Sequence, residues 1–65
     1  MIFEINPGIP EGSVVRTQKE LEKLKIEVSI VREDTYRLLC IKLRRHVTID
    51  EVIYISQLTI NTLLL

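Results

Sequence analysis

Lys25-Ile26-Glu27-Val28-Ser29-Ile30-Val31-Arg32, followed after Glu33-Asp34-Thr35-Tyr36 by Arg37-Leu38-Leu39-Cys40-Ile41-Lys42-Leu43-Arg44-Arg45, is the stretch that decides the fold. Ile26, Val28 and Ile30 alternate with Lys25, Glu27 and Ser29, the period-two pattern of a strand with one buried face. Leu39, Ile41 and Leu43 repeat the pattern in the second run. The two runs therefore predict a β-hairpin, with strands over 25–32 and 37–45.

Side chains also predict its register. A four-residue loop, 33–36, sets Ile30 opposite Leu39, Val28 opposite Ile41 and Ile26 opposite Leu43, and pairs Glu27 with Lys42. A two-residue loop at Glu33-Asp34 would instead oppose Lys25 to Lys42 and Ile30 to Arg37. The longer loop is favoured, although it opposes Arg32 to Arg37, a repulsion that Glu33 and Asp34 are placed to offset.

Upstream of the hairpin, Ile2–Ile5 reads as a short strand ended by Asn6-Pro7-Gly8. Pro7-Gly8 suits the centre of a type II turn, whose third position needs a positive φ. Val14–Arg16 reads as a second short strand. Thr17-Gln18-Lys19-Glu20 matches a capping box and predicts a helix of two turns through Leu24, with Leu21 and Leu24 inward.

Downstream, propensity and periodicity conflict over 49–65. Ile49, Val52, Ile53, Ile55, Thr59, Ile60 and Thr62 are β-branched and favour a strand. At about 100° per residue, Ile49, Val52, Ile53, Ile60, Leu63 and Leu64 fall within roughly 120° of arc, which favours a helix. Thr48-Ile49-Asp50-Glu51 is a second capping box, with two acids where the helix dipole favours them. The strand alternation breaks on both faces, so a helix over 49–64 is expected, with that stripe covering the hairpin. Tyr54, Ile55, Leu58 and Leu65 then form a second apolar patch.

Together these elements predict a single small α+β domain, 1–65, in which an antiparallel hairpin and short N-terminal strands pack against a C-terminal helix. Composition bears on its assembly. Twenty-five of 65 residues are Ile, Leu or Val, and none is alanine. A domain of about 60 residues buries only roughly 60% of its unfolded surface, so part of this aliphatic excess needs cover from another chain. A homodimer or higher oligomer is expected, with Tyr54, Ile55, Leu58 and Leu65 at the interface, and Val31 and Leu38 as further surplus on the sheet's other face.

The chemistry expected of the chain is sparse. Nine basic residues balance nine acidic ones, so no global charge calls for nucleic acid or an anionic membrane. Cys40 and His46 are the single thiol and single imidazole, and six residues of extended chain hold them about 20 Å apart. No nucleophilic dyad or metal set is expected from them, and no cofactor, because Gly8 and Gly12 do not form a phosphate loop. The chain is therefore expected to be non-enzymatic. Lys42, Arg44, Arg45 and His46 form the basic cluster, with Lys42, Arg44 and His46 on one strand face. This supports the alternative expectation, a nucleic-acid-binding strand surface. A lone cysteine suits a reducing, cytoplasmic setting. The N-terminus lacks the features of a signal peptide, and no apolar run is long enough to span a membrane.

Overall fold

The computed structural model describes residues 1–64. The chain runs β1 (Ile2–Glu4), α1 (Glu11–Glu22), β2 (Glu27–Arg32), β3 (Arg37–Lys42) and α2 (Ile49–Thr59), the last continued by a π-helical turn, Ile60–Leu64. The strands form one antiparallel sheet in the order β1-β3-β2, with β3 at the centre. β1 and β2 are thus parallel to each other and joined by α1, a βαβ unit split by β3.

The hairpin has the expected register. Ile30 faces Leu39, Val28 faces Ile41 and Glu27 faces Lys42, around the four-residue loop closed by the Glu33 amide on the Tyr36 carbonyl at 2.9 Å. Arg32 does lie opposite Arg37. The carboxylate that bridges them, however, comes from Glu11 at the start of α1, rather than from Glu33 or Asp34. β3 ends at Lys42, three residues earlier than expected; beyond it Arg44 reaches back to Glu27 at the start of β2, and Arg45 turns off to the Leu24 carbonyl outside the sheet. Ile26 and Leu43 consequently lie beyond the ladder.

The N-terminal half departs further from expectation. Val14–Arg16 is no strand but part of α1, which starts at Glu11. Pro10 precedes it with φ −62° and ψ 145°, and caps it without any side-chain hydrogen bond. Proline suits a helix start because the amide it lacks has no intrahelical partner there. Thr17 caps nothing. It is buried in mid-helix, where its hydroxyl donates to the Ser13 carbonyl at 2.9 Å. Val14, Thr17 and Leu21 make the inward face, with Leu24 partly buried behind them. Gly8 does not adopt a positive φ, so the turn after β1 is not type II. Asn6 holds it instead, its Oδ1 accepting the Gly8 amide at 2.9 Å and its carbonyl the Ile9 amide at 3.0 Å.

The C-terminal segment is a helix, and its capping box forms: the Glu51 amide donates to Thr48 Oγ1 at 3.2 Å, and the Thr48 amide to Glu51 Oε1 at 3.0 Å. Its facing differs from that expected for four residues of the six-residue stripe, while Leu63 is buried as expected and Leu64 is half-buried. Ile55, Thr59 and Leu63 are fully buried, whereas Ile49, Val52, Ile53 and Ile60 are exposed. Two causes are visible. Thr59 and Thr62 can face inward because their hydroxyls donate to the Ile55 and Leu58 carbonyls, four residues back. The π turn also advances fewer degrees per residue than an α turn, which brings Leu63 back over Ile55 and Thr59.

Both helices lie on one face of the sheet. The core between the layers comprises Val28, Leu39 and Ile41 from the sheet, Val14 and Leu21 from α1, Ile55 and Leu63 from the C-terminal helix, and Ile5 and Ile26 from connecting segments.

Candidate interaction surface

The residues of the basic cluster go to different surroundings. Lys42 and His46 are exposed. Arg44 pairs with Glu27 at 3.1 Å. Arg45 donates to the Leu24 carbonyl at the end of α1, to the His46 carbonyl and to both oxygens of Glu51. Its guanidinium ties the C-terminus of α1 to the N-terminus of α2. The Glu51 carboxyl is consequently held down at about 2 from its usual 4.5, first by Arg45 and then by the Thr48 amide. Because the strand ends at Lys42, Arg44 and His46 do not continue its face. Arg45 thus serves as a brace between the two helices and Arg44 as half of an exposed ion pair, roles legible beforehand only in the opposite charges of Glu51 and Glu27.

Cys40 sits at the middle of β3, between Ile2 and Ser29 on the sheet face that no helix covers. His46 lies in the loop before α2, and no hydrogen bond joins the two among the described residues. Among those residues, no three His, Cys, Asp or Glu side chains converge as metal ligands, and no helix is long and apolar enough to cross a membrane.

The apolar surfaces are more informative. Of the four residues expected at an interface, Ile55 is fully buried and Leu58 packs against the core of its own chain. Tyr54 is exposed, and Leu65 lies outside the described residues.

Four of the six residues expected to be core are instead exposed: Ile49 is 79% exposed, Ile53 48%, Ile60 44% and Val52 37%, whereas Leu63 is buried. Contacts around α2 give its direction. Thr62 faces α1, with its Oγ1 3.1 Å from Thr17 Oγ1. Ile55, Thr59 and Leu63 point into the core, and Asp50, Gln57 and Asn61 are exposed on the side away from it. By helical geometry the remaining direction, away from α1, carries Ile49, Ile53 and Ile60 around Ser56.

That direction is the β1 side of the molecule. α1 packs on β2, and the π turn reaches the end of β1, where the Asn6 amide donates to the Leu63 carbonyl at 2.8 Å. Ile5 donates to Arg37, and the Met1 carbonyl accepts from Ile41, so the odd residues of β1 bond to β3. In an antiparallel ladder the even ones, Ile2 and Glu4, then point their backbone groups outward. An open cleft of about 300 Å³ adjoins this edge, lined by Glu4, Ile5, Asn6, Pro7 and Leu64. The unpaired β1 edge and the aliphatic stripe of α2 therefore share one side of the domain.

The opposite edge is guarded. Gln18 Nε2 donates to the Val28 carbonyl on β2 at 3.4 Å, and Glu27 and Arg32 place charges at the strand's ends. Charged ends and a covering side chain are common ways to block strand pairing. On the outer sheet face, Val31 and Leu38 sit opposite each other, with Ile2 and Cys40 nearby.

No protein-family model matches the chain, and neither curated proteins nor solved structures show one similar to it.

Proposed function

We propose that this protein is a non-catalytic assembly or regulatory module that works as a homo-oligomer. The observation that carries the reading is the outward stripe of α2. Ile49, Val52, Ile53 and Ile60 lie on one helix face and remain exposed in the single chain. Isolated exposed aliphatics are ordinary, but a contiguous patch on a structured element marks a surface that another molecule covers. The free thiol of Cys40 supports a reducing compartment such as the cytoplasm.

The nucleic-acid reading keeps Lys42 as its exposed cation, while Arg44 and Arg45 are already matched to Glu27 and Glu51. Assembly is therefore preferred.

Chemical unfolding tests the proposal. The stability of an oligomer depends on protomer concentration, whereas that of a monomer does not. The urea midpoint is expected to rise as the protein is concentrated through the micromolar range. A midpoint independent of concentration, with a folded chain throughout, would remove the reading.

A further inference from the structure

We infer that two copies of this chain join edge to edge through β1, merging their three-stranded sheets into one beneath two apposed α2 helices. The inference deepens the assembly reading above and rests on it.

The two halves of the surface are individually incomplete and lie together. Below, the backbone groups of Ile2 and Glu4 have no strand beside them among the described residues. Above, Ile49, Ile53 and Ile60 overhang the same side. A strand placed there would extend the ladder and come to lie under the aliphatic stripe. The described residues run β-α-β-β-α with β1 at the sheet edge, and a strand at this position completes a β-α-β-β-α-β arrangement.

A second copy fits the position by its own symmetry. An antiparallel pairing of β1 with β1, centred on Phe3, puts Ile2 opposite Glu4 of the other copy. These are the residues whose donors and acceptors point outward, so each meets its complement reciprocally. The two Phe3 rings become direct cross-strand neighbours on the helix-covered face, a favourable aromatic pair. Met1 falls opposite Ile5 of the other copy, beside the cleft formed by Glu4–Pro7 and Leu64.

Charge and area agree. The pairing opposes Glu4 to an isoleucine rather than to a like charge. The overhanging stripe is uncharged, with Ser56 at its centre small enough to let two helices approach closely. A standard interface takes about 800 Å² from each partner. That is less than a fifth of the 4442 Å² surface of this chain, within the reach of one side of a body measuring 34 × 19 × 17 Å. The β2 edge offers no such match, being covered by Gln18 and charged at both ends.

Sedimentation equilibrium on the full chain and three variants tests the geometry. Glu4→Pro removes an outward amide while sparing the bonds to β3, and proline is tolerated at such edge positions. Ile53→Glu places a charge on the exposed stripe, and Val31→Glu does the same on the outer sheet face. The expected result is a dimer for the unmodified chain and for Val31→Glu, and a monomer for Glu4→Pro and for Ile53→Glu, with unchanged circular dichroism. Should Glu4→Pro lose its fold, Ile53→Glu carries the test. A dimer that survives both substitutions, or that only Val31→Glu dissociates, overturns this geometry and leaves the assembly reading standing. A folded monomer overturns both, including one that takes up an added extended peptide at this edge.

Discussion

The Arg37 guanidinium lies 3.1 Å from Glu11 Oε2 and reaches past it to the carbonyl of Ile9, at 2.7 Å. It also donates to the carbonyls of Asn6 and Pro7, so one β3 side chain holds the whole connection between β1 and α1. The planar fork of arginine serves several acceptors at once, which an ammonium on a flexible stem does not. Arg37→Lys is therefore expected to destabilise the domain by about 1–3 kcal/mol. Arg44→Ala, which breaks the exposed pair with Glu27, is expected to change stability by no more than about 0.5 kcal/mol. Side-chain exposures of 18% for Arg37 and 67% for Arg44 are the reason for the difference. Urea unfolding of both variants checks this, and equal losses would contradict it.

Acid should weaken the fold through Glu51 and Glu11. Both carboxyls are held below their usual 4.5, Glu51 chiefly by Arg45 and Glu11 chiefly by Arg32. The folded state binds these protons less tightly than the unfolded state, so the stability they contribute is fully present above pH about 4.5. For Glu51 it is lost as the pH falls toward about 2. Urea midpoints should fall through this window. Glu51→Gln should be less stable than the unmodified chain near neutrality and converge with it at the acid end. A gap that stays constant with pH would contradict the assignment.

The facing of α2 is open to a direct comparison. Ile55→Ala empties a fully buried site and is expected to cost about 2–5 kcal/mol. Ile53→Ala, on the exposed stripe, is expected to change the stability of the dilute single chain by less than about 0.5 kcal/mol. The reverse order would restore the stripe to the core.

Lys25 has φ 63°, a left-handed conformation that costs a residue with a side chain roughly 1–2 kcal/mol. It follows the end of α1, next to Leu24, whose carbonyl accepts from Arg45. Lys25→Gly relieves the strain but adds freedom to the unfolded chain, for an expected net gain of up to about 1 kcal/mol. Thermal unfolding measures it, and a loss of stability would show that the lysine side chain contributes more than its backbone costs.

The legible parts of this fold are those where one residue period dominates. The hairpin register follows from Val28, Ile30, Leu39 and Ile41, because a slip of one residue would expose all of them. The start of α2 follows from Thr48 and Glu51, whose reciprocal bonds are local. The start of α1 was hidden because Pro10-Glu11-Gly12-Ser13 resembles a loop, and Val14-Val15 a strand. The spacing Val14, Thr17, Leu21, Leu24 carried the helical signal, had Thr17 been counted as an inward residue.

The same difficulty applies to α2. Thr59 and Thr62 count as polar in any periodicity, yet each satisfies its hydroxyl within the helix and can be buried. Once they mark the inner face, the best aliphatic stripe must lie elsewhere. Its outward position is what turns an ordinary-looking amphipathic helix into the candidate interface.

Amide hydrogen exchange along β1 tests the edge-to-edge pairing most directly. Phe3 and Ile5 bond to β3 within one chain and should be protected at every protein concentration. Glu4 points its amide outward, where no strand of the described residues pairs with it and a strand from another copy would protect it. Glu4 is expected to become protected as the protein is concentrated, in step with dimer formation. A Glu4 amide that exchanges freely at all concentrations, while Phe3 and Ile5 remain protected, would contradict it.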